Sequence, residues 1–380
     1  MSRFFTEEHD MFRDALRKFF EKEAVPYYDQ WEKDGMIPRS LWEKMGANGF
    51  LCAWLDEQYG GFGADFGYSV VLNEELERVG SGTIGIGLHT DIVVPYLDSY
   101  GTEKQKERWL PKCTTGELIT AIAMTEPGAG SDLAGIKTTA IRNGDHYIVN
   151  GQKTFITNGI QSDLIVIVCK TDPHAKPAHK GISLLVVERD TPGFSRGRKL
   201  EKIGLHSQDT AELIFEDAKV PVENLLGEEG KGFYYLMEKL QQERLVVGIQ
   251  AQIAAEEMLA MTKQYIKDRK AFGRPIHQFQ HIQFTMAEMA TEIEIGRTFI
   301  YDLIEKHMAG KDVVTQVSMA KWWHSDMAKR VASHCLQLHG GYGYMEEYPI
   351  ARRYRDIAVL PIYAGTNEIM KSIIAKNMGL

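Results

Sequence analysis

Apolar residues recur at helical spacing through the first third of the chain. Phe12, Leu16 and Phe19 fall on one side of a helix, Thr6 stands where an N-cap belongs, and Glu7 and Glu8 occupy a first turn that favours negative charge. Gly-rich breaks at Gly60 to Gly67 and Gly80 to Gly87 interrupt this pattern, and Pro111 lies near its end. From about residue 119 to 226 the pattern becomes strand-like. Tyr147 to Val149, the pair Asn150-Gly151 and Lys153 to Thr157 predict two short strands joined by a turn, and Leu164 to Cys169, Ile182 to Glu188 and Ala211 to Phe215 predict more, with Pro221 closing the region. Long helical stretches return from about Gly230, broken at Gly273-Arg274-Pro275, at Gly340 to Tyr344 and at Pro361. The expected class is therefore α+β, with a helical N-terminal domain over residues 1–118, a central β-domain over 119–226 and a C-terminal helical bundle over 227–380. No internal repeat, low-complexity segment or flexible linker separates them, so tight packing is expected.

Length and charge narrow the function classes. The 380 residues, 44% of them hydrophobic, suffice for about two or three packed domains. A net charge of −8 gives no overall pull toward nucleic acid or an anionic membrane. Cys52, Cys113, Cys169 and Cys335 are far apart and show no metal-ligand spacing with the histidines, which predicts free thiols, no metal and a reducing interior. The first twenty residues carry charges every few positions, unlike a signal peptide or a span, so a cytoplasmic setting is the expectation.

Two places invite chemistry. Thr125-Glu126-Pro127-Gly128-Ala129-Gly130-Ser131-Asp132 joins the first helical part to the β part, and its glycines let backbone N–H groups approach a ligand, although a tight connection would look the same. The loop is not a dinucleotide fingerprint, because Leu133 stands where the third glycine of GxGxxG would fall. Glu243 lies on a helix with Leu236, Leu240 and Val247 on the same stripe, so desolvation would raise its pKa and suit it to accept a proton; an acid paired with a neighbouring Arg or Lys is the alternative. Trp322, Trp323 and the methionines read as core. The basic run Arg196, Arg198, Lys199 and Lys202 suits either phosphates or solvent. No HExxH and no hydrolase triad order is present.

Several strings together resemble the acyl-CoA dehydrogenase family: Ala123-Met124-Thr125-Glu126-Pro127-Gly128-Ala129-Gly130-Ser131-Asp132, Phe155-Ile156-Thr157-Asn158-Gly159, and Gly204-Leu205-His206-Ser207-Gln208-Asp209-Thr210-Ala211-Glu212-Leu213. Arg269-Lys270-Ala271-Phe272-Gly273, Gln337-Leu338-His339-Gly340-Gly341 and Ala364-Gly365-Thr366-Asn367-Glu368 continue the resemblance in the family's order. The long-chain branch is the most similar, through Gln208 to Leu213 and Pro361-Ile362-Tyr363 leading into Gly365 to Met370.

The resemblance implies the helical, β, helical fold, an FAD cofactor, a homotetramer, an acyl-CoA substrate and an electron-transferring flavoprotein as acceptor. It implies that Ile122, Ala123, Met124 and Thr125 through Ser131 line the flavin with Phe155, Ile156 and Thr157, and that Ser131 also reaches the substrate. Arg269, Gln280 and Gln337 to Gly341 would hold the FAD of a neighbouring subunit, and Thr366, Asn367 and Glu368 would complete the site. Tyr234, Gln241, Gln242, Arg244, Ala364 and Gly365 would face the acyl-CoA. Many members carry their catalytic Glu where this chain has Ala364; the isovaleryl and long-chain branches resemble it in carrying Glu before Arg, here Glu243-Arg244, which makes Glu243 the expected base. An oxidase-like flavoprotein and a catalytically silent acyl-CoA-binding protein on the same scaffold are the alternatives.

Overall fold

The computed structural model describes residues 4–80 and 85–380. The N-terminal helices are α1 (Glu7–Glu23), α2 (Tyr28–Asp34), α3 (Arg39–Ala47) and α4 (Phe66–Val79), then α5 (Gly85–Gly87), a π-helical turn (Leu88–Val93), α6 (Val94–Tyr100) and α7 (Glu103–Thr114). Thr6 precedes α1 in extended conformation, and its N–H donates to His9 Nδ1 at 3.1 Å. Helix stops at Val79 and resumes at Gly85; residues 81–84 of the expected break lie outside the described residues.

Eight strands form the central sheet: β1 (Thr120–Ala123), β2 (Thr139–Asn143), β3 (His146–Thr157), β4 (Leu164–Lys170), β5 (Ile182–Glu188), β6 (Phe194–Lys199), β7 (Thr210–Pro221) and β8 (Leu225–Leu226). Their order is β6-β7-β3-β2-β4-β5-β8, with β1 joining β4 in parallel. The apolar runs of β4 and, past Ser183, of β5 have a physical reason, which is burial on both faces. Leu164, Val166, Leu184 and Val186 pack with the N-terminal helices and Leu236, whereas Ile165, Ile167, Leu185 and Val187 pack with β3 and β7.

The expected turn at Asn150-Gly151 is corrected. β3 runs through it unbroken, and the pair is instead a register shift against β7, bridged by Asn150 Nδ2 donating to Asp217 Oδ1 at 3.0 Å and the Asp217 N–H donating back to Asn150 Oδ1 at 2.9 Å. The reversal lies earlier, at Gly144, whose φ of +65° suits the β2–β3 connection. The basic run falls largely on β6, and three of its four residues donate to other parts of the protein. Arg196 donates to Gly159 O and Ser162 O, Lys199 to Asp34 O, and Lys202 to Thr210 Oγ1.

The C-terminal part contains α8 (Gly232–Asp268), the hairpin β9 (Lys270–Ala271) and β10 (Arg274–Pro275), then α9 (Gln280–Met308), α10 (Val314–Leu338), α11 (Pro349–Asp356) and α12 (Asn367–Asn377). The break between α9 and α10, at Ala309 to Val313, was not expected from the sequence. α8 runs for 37 residues, and its length lets it serve all three parts. Leu236 packs with the β-domain, Leu245 and Ile249 with Val70 of α4, and Ala251 to Met258 with α10. Among the described residues, no helix is long and apolar enough to cross a membrane, and no group of side chains is arranged to hold a metal. The four cysteines are free and buried.

Candidate active site

The glycine loop is built by β1 and closed by its own backbone. Glu126 and Ala129 exchange backbone hydrogen bonds of 2.8 and 3.1 Å across Pro127-Gly128. Beneath the turn, the Glu126 carboxylate accepts from Lys137 N–H at 2.6 Å, Thr138 N–H at 3.0 Å and Lys153 Nζ at 2.8 Å, and Lys153 also reaches Met124 O. Two positions of the string expected to line a flavin therefore point elsewhere. Glu126 turns inward onto Lys153, and Ala123 is sealed in the sheet interior by strand alternation. Pro127, Gly128, Gly130 and Ser131 are exposed, and a Cβ added at Gly128 or Gly130 would meet nothing within 4 Å.

Phe155 stands next to this loop in an unusual state. It is 69% exposed with φ of +60°, in the register break of β3 between Lys153 and Ile156, and the neighbouring Thr154 N–H donates to Thr125 O at 2.9 Å. A bulky residue held left-handed with its ring in the open marks a site where the ring is needed. Open glycine positions beside a presented aromatic face suit a flat, polar-edged ring system, so the residues present fit a flavin.

Glu243 projects from α8 among Leu236, Leu240 and Val247, all buried. Its side chain is half-buried; Oε2 is shut off from solvent, and neither oxygen has a hydrogen-bond or ion-pair partner among the described residues. Burial pushes its pKa up to about 7, against the opposing fields of Arg244 and Lys321. The paired-acid alternative is therefore not what the structure shows. Arg244 Nε and Tyr96 Oη are likewise buried without partners, and the Tyr96 phenol is lifted by burial and by Glu243. Buried polar atoms left unsatisfied side by side point to a ligand site.

The turn after Pro361 comes to the same place. Ala364 and Gly365 are both left-handed, with φ of +54° and +89°, and the Arg244 guanidinium lies 3.9 Å from where a Cβ on Gly365 would sit. Thr366 caps α12 by accepting from Ile369 N–H. Lys321, fully buried on α10, donates to Gly365 O at 2.6 Å and to Asn367 Oδ1 at 3.2 Å, so the Asn367 amide faces inward. Glu368 opens the helix at the surface.

The remaining expected residues divide. Tyr234 is exposed, with its hydroxyl 3.5 Å from His179 Nε2, and Gln241 is half-buried. Gln242 turns to the N-terminal domain and donates to Asp91 O at 2.6 Å. A second group forms at the end of α8 and α10. Tyr265 stacks on His339 at 4.2 Å and donates to its carbonyl, and Arg269 lies over Tyr342. Gln337, Gly340 and Gly341 there are exposed, Leu338 is half-buried, and Gln280 is exposed at the start of α9. No hydrogen bond joins this group to residues 122–131 among the described residues.

Sequence reasoning missed Lys321 and Tyr96. Lys321 had a signal of the kind used for Glu243, because Val317, His324 and Ala328 flank it on one buried stripe. Tyr96 had none, since a tyrosine among apolar neighbours reads as core.

Family models described as the acyl-CoA dehydrogenase N-terminal, middle and C-terminal domains match residues 6–117, 121–218 and 230–379. The chain is 49% identical over 377 residues to the mitochondrial long-chain specific acyl-CoA dehydrogenase of Rattus norvegicus, covering 99% of this chain and 87% of that one. A crystal structure of an acyl-CoA dehydrogenase from Geobacillus kaustophilus superposes with a TM-score of 0.99 at 73% identity, over the whole of both chains. An acyl-CoA dehydrogenase from Bacillus anthracis complexed with FAD gives a TM-score of 0.93 at 32% identity, over 100% of this chain and 68% of that one.

Proposed function

Because this chain belongs to the acyl-CoA dehydrogenase family, we propose that it converts a medium-chain, long-chain or branched acyl-CoA to its trans-2-enoyl-CoA, with Glu243 taking the α-proton. The enzyme is an FAD-dependent oxidoreductase, and FAD supplies the acceptor for the β-hydride. Phe155 and the open face of the loop from Thr125 to Ser131 would hold the flavin, while Tyr234, Gln241 and Arg244 would face the acyl-CoA. In this reading the long-chain preference follows the rat relative, the protein works as a cytoplasmic homotetramer, and electrons leave through an electron-transferring flavoprotein.

The chemistry demands a base matched to neutral pH and a polarised carbonyl. A thioester α-proton is weakly acidic, so Glu243 must be ionised before reaction and hold the proton afterwards, and a pKa near 7 serves both steps. The Ala364 N–H would meet the carbonyl oxygen and stabilise the charge that develops there. The apolar wall of Leu236, Leu240 and Val247 keeps water from the proton in transit.

The observation that supports the assignment best is the Glu243 carboxyl, half-buried beside an apolar stripe and unpaired. Glu243→Gln should retain flavin absorbance and lose acyl-CoA dehydrogenation by about 10²-fold or more with a dye acceptor. Near-normal turnover would reject the assignment. Acyl-CoAs of graded length and branching, assayed on the wild type, fix the substrate class.

A further inference from the structure

The Ala364–Gly365 turn adopts a backbone state that its own sequence does not favour. A left-handed alanine costs about 1 kcal/mol or more and persists only where its surroundings impose it. Buried polar groups grip the turn on both flanks. Before Ala364, the Tyr363 hydroxyl donates to Gln250 Oε1 at 3.3 Å, Gln250 Nε2 to Asn73 Oδ1 at 3.1 Å, and Asn73 Nδ2 to Asp91 Oδ2 at 2.6 Å. After it, the Lys321 ammonium donates to Gly365 O and Asn367 Oδ1.

Lys321 is costly for a mere strut. Its side chain is fully buried, and no carboxylate forms an ion pair with it among the described residues. Burial drives its pKa down to about 8, as a desolvated ammonium must respond. A methionine of similar length would fill the space without that penalty. The acids whose fields act on that charge are Asp326, Glu368 and, more weakly, Glu243, and of these Glu243 is the one placed to take a proton from substrate.

We infer that Lys321 is a positioning residue for the dehydrogenation: through Gly365 O its ammonium fixes the turn that offers the Ala364 N–H to the thioester carbonyl, and its charge faces the carboxylate that takes the proton. The inference rests on Glu243 as the base and Ala364 N–H as the carbonyl donor. Glu243 is faced by Arg244 on its own helix, Lys321 from α10, Tyr96 from α6 and Tyr363 from the turn. Lys321 in turn faces Arg244, Asp326, Glu368 and Glu243. Of these, Lys321 alone joins the turn and the base by a hydrogen bond to one and a field on the other.

The test compares FAD-loaded Lys321→Met, which removes donor and charge, with Lys321→Gln, which keeps a donor without the charge. Bound trans-2-enoyl-CoA labelled with ¹³C at the carbonyl reports polarisation by its infrared stretch, and kcat/KM against pH reports Glu243. Lys321→Met should keep its flavin, lose about 10²-fold in kcat with KM little changed, and return the carbonyl band toward that of free ligand. Its acid limb should move to higher pH, because removing a nearby positive charge makes the carboxylate harder to form. Lys321→Gln should recover part of the carbonyl shift and keep the displaced limb. A wild-type band and limb in a flavin-loaded Lys321→Met enzyme would overturn the inference; if that variant does not fold, a wild-type limb in Lys321→Gln would do so. The infrared measurement uses the product complex and needs no base, so it stands even if Glu243→Gln proves active.

Discussion

The raised pKa of Glu243 carries a stability cost that Glu243→Gln should remove. The carboxyl moves from an ordinary value of 4.5 to about 7 on folding, and each unit is worth about 1.36 kcal/mol, so the full penalty is about 3.4 kcal/mol. Below the unfolded value both states are protonated and nothing is lost. As the pH rises from 4.5 toward 7, the unfolded chain releases its proton while the folded one keeps it, so stability falls; above about 7 both are ionised and the loss is complete. A neutral glutamine of the same shape escapes this. Denaturant unfolding of the FAD-loaded proteins should therefore show the variant gaining on the wild type by about 2.5 kcal/mol between pH 5 and pH 8. A stability difference that does not change with pH would refute the reasoning, because a carboxylate hydrogen-bonded in the folded state would have no such penalty. The same charge that makes the base useful makes the fold weaker.

Two further outcomes test the flavin side. Phe155→Ala removes the presented ring without touching the core, and should weaken FAD about 10-fold in a fluorescence titration while leaving the apoprotein's unfolding midpoint unchanged. Lys153→Met strands the buried Glu126 carboxylate and should cost about 3 to 5 kcal/mol in denaturant unfolding, much of it recovered by adding Glu126→Gln.

The three-part order and the strands β4 and β5 were legible because their signals are local. A run of six buried residues, apolar throughout in β4 and broken only by Ser183 in β5, or a helical stripe, is written in neighbouring positions. Asn150-Gly151 misled because the same pair serves a turn or a bulge, and the choice was made by Asp217 on the partner strand, 67 residues away. Glu243 was legible as an acid on an apolar stripe, but whether it was paired depended on what other helices bring beside it. The inward turn of Glu126 needed Lys153, and the left-handed Ala364 needed Lys321 and Gln250. These are contacts between distant segments, which periodicity does not encode.

One property of α8 constrains how this enzyme can change over evolutionary time. The helix is seated at its start by Gly232, where a Cβ would come within 2.8 Å of Ser183 C, and later by Gly248, where one would come within 2.9 Å of Ile300 Cδ1. A single codon gained or lost between those two seats would swing the residues beyond it by about 100° and shift them by about 1.5 Å. The acid would leave its place beside Arg244 and Tyr96 while the helix stayed intact. Length in this stretch is therefore frozen, and drift toward new substrates must proceed by replacing side chains or by resizing the connections outside it.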